Sequence, residues 1–333
     1  MSCPTHIVVL QAPITVFDSL GLSDVSRFEL VRIDREKMMK QYKWKKDQPN
    51  QVIFGDNLEV LNAIPDESIN LIYIDPPFNT GRVQKRQQLK TVRSTDGNRV
   101  GFKGASYETV KGKVTSYDDS FADYWAFLEP RLEEAWRVLA ANGTLYLHLD
   151  FREVHYAKVM LDALFGLDSF LNEIIWAYDY GARSKSKWPA KHDNILVYVK
   201  DPSNYTFNNT AVDREPYMAP GLVTPEKAAL GKLPTDVWWH TIVSPTGKEK
   251  TGYVTQKPEG ILRRVIQASS NEGDLVMDFF GGSGTTASVA MQLGRRFITV
   301  DKNPEAIEVM KKRMGDGMLG ASVEYIDINQ EEK

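Results

Sequence analysis

Short runs of apolar, β-branched and aromatic residues recur along the chain at 51–54, 70–74, 143–149, 173–178, 194–199, 274–279 and 296–300. Each has the length and composition of a strand buried on both faces. Between them apolar residues repeat every three or four positions at 123–139, 154–164, 258–268, 285–293 and 304–313, the period of a helix with one buried stripe. Strand alternating with helix predicts an α/β fold, a doubly wound, mostly parallel, seven-stranded sheet with helices on both faces. In such sheets ligands sit beyond the C-terminal ends of the strands, so the chemistry should lie just after each strand.

Two stretches break the alternation. From 82 to 113 there are nine Lys or Arg against two acids, with few large apolar residues, which reads as a basic loop over 82–120. From 201 to 252 the chain is rich in Pro, Asn, Thr and Trp and weakly periodic, the pattern of an inserted subdomain. A repeat with a period of 20 to 50 residues is absent, which removes solenoids.

Composition narrows the setting. The 333 residues suffice for a large core, and the one cysteine, Cys3, excludes an intramolecular disulfide and points to a reducing compartment. The N-terminus lacks a basic segment ahead of an apolar run, and no stretch approaches the roughly 20 apolar residues that span a bilayer, so a cytoplasmic protein without membrane partners is expected. A formal net charge of −3 excludes binding to nucleic acid through bulk positive charge and leaves only local basic surfaces. The five histidines show no paired ligand spacing and no cysteine companions, so no metal site is expected.

Two signatures carry chemistry. The strand at 70–74 ends in Asp75-Pro76-Pro77-Phe78. The prolines fix the backbone and remove two N–H donors, leaving carbonyls that only accept hydrogen bonds. An exocyclic amine has two N–H donors and a poorly nucleophilic lone pair; the Asp75 carboxylate and the Pro76 carbonyl could each take one hydrogen and aim that lone pair. Phe78 would stack on the base, which has to leave its duplex to be reached. A rigid turn with no chemistry fits the same four residues.

The second signature runs from Leu275 through Asp278-Phe279-Phe280-Gly281-Gly282-Ser283-Gly284-Thr285, a strand entering a glycine-rich turn and a helix. Such a turn lets a nucleotide-like ligand approach the backbone and the free N–H groups of the helix start. The spacing departs from Gly-x-Gly-x-x-Gly, which disfavours a nicotinamide cofactor. The next strand ends in Asp301, placed to accept from two ribose hydroxyls or to cap the following helix.

Together these residues resemble the β-class amino-group DNA methyltransferases, in which an Asp-Pro-Pro-aromatic motif precedes a Phe-x-Gly-x-Gly motif. The resemblance extends to Gly55-Asp56-Asn57 and Thr255-Gln256-Lys257-Pro258 and covers roughly 51–313. It implies a Rossmann-like, circularly permuted fold of the S-adenosylmethionine-dependent type. It implies an S-adenosylmethionine pocket lined by Asp56, Lys257, Asp278, Phe280, Gly282, Ser283, Gly284, Thr285 and Asp301, and a catalytic set of Asp75, Pro76, Pro77 and Phe78. Asp75 at the head of its motif resembles adenine-N6 enzymes, where Ser marks those that methylate cytosine N4. The chain departs from the family pattern at Phe279 for Pro, Gly281 for Ala, Asp301 for Glu and Phe78 for Tyr. Phe78 keeps the stacking face and loses the hydroxyl.

The organisation implied is an N-terminal extension over 1–50 packing on the core, a catalytic half over 51–200, a target-recognition insertion over 201–252 and a cofactor-binding half over 253–333. The partners implied are double-stranded DNA, a second copy of the chain in a homodimer and, functionally, a restriction endonuclease; the location implied is the cytoplasm, at the nucleoid. The stretch after Phe78 and the cluster of Arg183, Lys185, Lys187, Trp188 and Lys191 are placed to meet phosphates. Cytosine N4 in DNA and adenine in RNA remain as other acceptors for the same fold, and a catalytically idle DNA-binding module is the non-enzymatic alternative.

Overall fold

The computed structural model describes residues 42–45, 47–79, 124–179, 184–244, 246–315 and 322–329 in full, and the backbone of three strands within 82–119. They fall in one compact unit, Met38–Lys333. Most of the expected extension over 1–50 lies outside the described residues, as does Arg183. The end of that segment does join the core, where Tyr42 is buried and donates to Gln51 Oε1 at 2.6 Å.

All seven expected strands form one sheet. They are β1 (Asn50–Phe54), β2 (Ile69–Ile74), β6 (Leu139–Leu149), β7 (Phe170–Ala177), β8 (His192–Val199), β10 (Leu275–Asp278) and β11 (Arg296–Asp301). Two short edge strands, β9 (Val237–Trp239) and β12 (Val323–Asp327), extend it to nine in the order β12-β1-β11-β10-β2-β6-β8-β7-β9. Pairing is parallel from β12 to β6 and again at β7 with β9; β8 runs antiparallel to both its neighbours. The seven-stranded expectation missed the edges because β9 has only three residues, and β12 is half-exposed and alternates with acids.

Period-two alternation sorts the strand residues into two cores. Ile53, Ile72, Ile74, Leu145, Leu147, Met277 and Ile298 face one side with helices α1 (Asn57–Ala63), α2 (Tyr124–Val138) and α3 (Val154–Phe165). Val52, Leu71, Tyr73, Tyr146, Val276 and Phe297 face the other. There they meet α5 (Glu259–Ser269), α6 (Thr285–Gln292) and α7 (Pro304–Met314), which follow the six-residue α4 (Pro225–Leu230). Ile72 and Ile74 are fully buried, and each such side chain stabilises the fold by about 1.5–3 kcal/mol.

The stretch expected as a basic loop is instead a separate antiparallel ribbon, β3 (Arg82–Arg93), β4 (Arg99–Val100) and β5 (Ser106–Asp119). Its Val and Thr residues favour extended backbone, and pairing lets the two long strands satisfy each other's N–H and C=O groups. Scarcity of large apolar residues therefore did not mean a loop. The stretch expected as an insertion contributes β9, which adds to β7 and buries Trp238 while Trp239 stays exposed.

Candidate active site

From β10 the chain crosses by α6 to β11 on one side, and from β2 it reaches β6 through α2 on the other face. Adjacent strands with diverging connections leave a crevice at their C-terminal ends. A cavity of about 540 Å³ opens there, walled by the residues that follow β1, β2, β10 and β11. Of the thirteen residues expected at the site, the cavity is lined by all but Gly284, which stands directly behind it as the left-handed N-cap of α6.

At the end formed by the residues after β2, Asp75 lines the cavity, and the ammonium of Lys257, entering from the start of α5, holds its Oδ2. Both side chains are largely buried. Among the described residues lining the cavity, Asp75 Oδ1 is the buried side-chain oxygen without a hydrogen-bond partner. An unmet buried carboxylate oxygen costs free energy, and it marks where a donor belongs. Phe78 packs on the first core, 5.9 Å from the His148 ring, with the Lys257 ammonium 4.9 Å from its own ring centre. Lys257, expected among the cofactor residues, therefore lies against two residues of the expected catalytic motif, Asp75 and Phe78.

The other end is built on backbone donors. Asp278 ends β10 and accepts from Thr286 Oγ1 at 2.6 Å and from the Phe280 N–H at 3.0 Å. Burial, reinforced by Asp75 and Asp301, nonetheless pushes its carboxyl up to about 7. Gly282 and Gly284 take positive φ of 52° and 70°, values that disfavour any side chain, and turn the chain into α6. Asp301 accepts the Gly282 N–H and the Asn303 N–H, each at 2.8 Å, so it pins the glycine turn as well as facing the cavity. Burial raises its carboxyl above the usual range. Ser283 and Thr285 are buried side by side, hydroxyls 3.0 Å apart, and Thr285 Oγ1 donates to the Lys257 carbonyl at 3.2 Å. That bond ties the glycine turn to the segment bearing Lys257.

Asp56 caps α1 through the Leu58 N–H at 2.9 Å and pairs with Arg131 at 3.1 Å. Arg131 also donates to Asn57 Oδ1 at 2.6 Å, and Asn57 donates to the Phe279 carbonyl at 2.7 Å, joining the turns after β1 and β10. Arg131 was missed in the sequence, although a signal existed: it falls on the apolar stripe of α2 between Leu128 and Ala135. Tyr73, Phe127, Tyr253 and Lys302, which also line the cavity, carried no comparable signal. Lys185, Lys187 and the fully exposed Trp188 stand on an irregular segment between β7 and β8. Among the described residues no group of three or more metal-ligating side chains is found, and no helix is long and apolar enough to cross a membrane.

The profile of the DNA methylase family matches residues 69–312, about three quarters of the chain. Over 276 residues the chain is 33% identical to the DNA adenine methyltransferase YhdJ of Escherichia coli (strain K12), covering 80% of this chain and 83% of YhdJ. Its fold is similar to that of TTHA0409 from Thermus thermophilus, a putative DNA modification methylase solved in complex with S-adenosyl-L-methionine. There the TM-score is 0.53, with 21% identity and coverage of 84% and 98% of the two chains. It is also similar to PvuII DNA methyltransferase (cytosine-N4-specific), with TM-score 0.56, 17% identity and coverage of 84% and 92%.

Proposed function

The chain belongs to the DNA methylase family, and from that premise we propose that it transfers a methyl group from S-adenosylmethionine to the N6 amino group of adenine in duplex DNA. The observation that carries the reading is Asp75, whose Oδ1 is a buried acceptor without a partner and which lines the cavity that the glycine turn also lines. An exocyclic amine supplies the missing donor. With one N–H on Asp75 Oδ1 and the other on the Pro76 carbonyl, the nitrogen lone pair is directed away from both and toward the cofactor end.

S-adenosylmethionine, when bound, supplies a methyl group on a positively charged sulfur. The residues present fit it. Asp278 and Asp301 are acids for its ammonium and ribose hydroxyls, the open turn at Gly282 lets the ligand meet the backbone, and Phe280 offers an apolar wall. Lys257 holds Asp75 by Oδ2 and so leaves Oδ1 for the amine. Phe78 provides the stacking face for a base extruded from the helix.

The family resemblance and the basic ribbon, β3 to β5, support the duplex as substrate, because nine cations directly after the catalytic motif suit phosphates. Residues 201–252 are assigned to target recognition, the halves over 51–200 and 253–333 to a permuted order of catalysis and cofactor binding. A homodimer, a cytoplasmic, nucleoid-bound location and a partner restriction endonuclease complete the reading. The test is to incubate the protein with radiolabelled S-adenosylmethionine and unmethylated duplex DNA, beside Asp75→Ala, and to identify the labelled nucleoside. Label in N6-methyladenine that vanishes in the variant is the expected result; label in cytosine moves the acceptor, and no label with DNA or RNA overturns transfer.

A further inference from the structure

A chain of buried polar side chains leaves the floor of the cavity and runs through the sheet. Tyr73, on β2, lies two residues before Asp75 and lines the same cavity. Its hydroxyl stands 2.7 Å from His148 Nδ1 on the neighbouring β6. His148, fully buried, places Nε2 3.3 Å from Asp193 Oδ2 on β8, and Tyr178 donates to Asp193 Oδ1 at 3.0 Å. Tyr178 lines a second cavity, of about 300 Å³, beside Trp239 and His240. Four groups on three neighbouring strands and one loop thus join one cavity to another.

The directions of the hydrogens follow from the far end. Asp193 is a carboxylate held below the usual range despite burial, chiefly by its hydrogen bond from His148 and the charges near it, so it only accepts. His148 Nε2 therefore carries a hydrogen, which in the neutral ring leaves Nδ1 as a lone pair. Nδ1 then accepts from Tyr73, whose oxygen lone pairs are left on the cavity side. Burial, with Asp75, Asp278 and Asp193 nearby, raises the Tyr73 hydroxyl well above its ordinary value, so it conducts a proton without itself becoming an anion.

We propose that Tyr73, His148 and Asp193 form a proton relay that carries away the hydrogen released by the methylated amine. The proposal rests on the reading of the site as an amino methyltransferase. In that reaction the nitrogen lone pair forms the N–C bond while the C–S bond breaks with its pair on sulfur. One N–H bond then breaks, its pair staying on nitrogen. Its proton passes from Asp75 to Tyr73 Oη through water in the cavity that both residues line, as the Tyr73 hydroxyl proton moves to His148 Nδ1. The resulting imidazolium faces the Asp193 carboxylate, which holds the proton on His148, while Tyr178 keeps its own hydrogen on Asp193 Oδ1. Nothing is oxidised or reduced. The groups that face the relay are Asp75 and Asp278 at Tyr73, Lys257 at Asp193, and Asp150 and Arg152 at Tyr178; the rings of Phe78 and Trp176 close around His148. Tyr73 and Asp193 are thereby positioning residues for the proton.

The test measures single-turnover methyl transfer across pH, at saturating cofactor and DNA, for the wild type, Tyr73→Phe and Asp193→Asn. Phenylalanine keeps the ring packing. Tyr73→Phe is expected to lower the rate about 100-fold, the lower end for a positioned proton-transfer group. Its pH profile is expected to differ from that of the wild type, with cofactor Kd within twofold of wild type. Asp193→Asn, which frees the other tautomer, is expected to lower the rate and change the pH profile as well. A Tyr73→Phe rate and pH profile equal to wild type overturns the relay. A rate loss matched by an equal loss of cofactor affinity, with the pH profile unchanged, overturns it too, since a merely structural role predicts that pattern. Wild-type label in cytosine overturns the adenine reading alone, because that amine also releases a proton and the same profiles decide the relay; a wild type that transfers nothing overturns both.

Discussion

The two ends of the cavity solve the burial of carboxylates in opposite ways. Around the glycine turn each buried acid is supplied from within 19 positions: Asp278 by Thr286 and the Phe280 N–H, Asp301 by two backbone N–H groups. At the end of β2, Asp75 has a single cation, Lys257, from 182 positions away and one oxygen with nothing. The first end is complete before a ligand arrives, which makes it a rigid cradle. The second has an oxygen without a donor, so under the proposed function its interaction with an amine would be made only with substrate in place. Binding that is realised at the reacting group is what accelerates a step.

Four changes break or sharpen that contrast. The largest effect should come from Asp75→Asn, which keeps the shape and removes the charge. Methyl transfer should fall about 10²–10³-fold, the scale of a lost preorganised charge contact, while cofactor affinity by calorimetry stays close to wild type. Unchanged transfer would remove the distinction between the two ends. Next is Lys257→Met, which leaves Asp75 buried without its cation. Single-turnover transfer should drop about 100-fold through a misplaced acceptor, and urea unfolding should register up to about 3–5 kcal/mol of lost stability, the cost of breaking a buried pair. Lys257→Arg should recover part of both.

The third change is in pH. The Asp278 carboxyl is raised to about 7, so its neutral form favours the ligand-free protein. That share of stability is fully present below the ordinary carboxylate range and is lost as pH rises through about 7. A cofactor ammonium needs the ionised form, so cofactor affinity should weaken by about tenfold for each pH unit below 7, and titration calorimetry of Asp278→Asn should show a weak, flat profile. A sloping profile in the variant would place the titrating group elsewhere. The smallest effect should come from Gly281→Ala. A Cβ there meets Thr299 Oγ1 and the Met310 methyl, so the variant should lose about 1–3 kcal/mol by overpacking, seen as a Tm lower by a few degrees, with transfer largely retained. The same crowding explains why this chain has glycine where the family pattern has alanine.

Much of this was legible because it is local. A strand written Asn70 to Ile74 and followed by Asp75-Pro76-Pro77-Phe78 carries its burial, its end and its chemistry in a few consecutive residues, and the same holds from Leu275 to Thr285. The ribbon from Arg82 to Asp119 was read as a loop because strand signals were sought in large apolar runs, whereas that ribbon is held by backbone pairing between two long segments. Arg131 was visible only as a charge on an apolar stripe, and Tyr73 was indistinguishable from any other buried strand residue until His148 stood beside it.

By itself the sequence determined the alternation of strand and helix, the turn at Gly282 and Gly284, and the acids that end β2, β10 and β11, because periodicity and backbone freedom act over a few residues. Tertiary structure alone decided which of those ends meet. Strand order, set by side-by-side burial of segments far apart in the chain, put β10 against β2 and brought Lys257 onto Asp75. It also placed His148 between Tyr73 and Asp193, since neighbours across a sheet are chosen by register and packing, which no local pattern encodes.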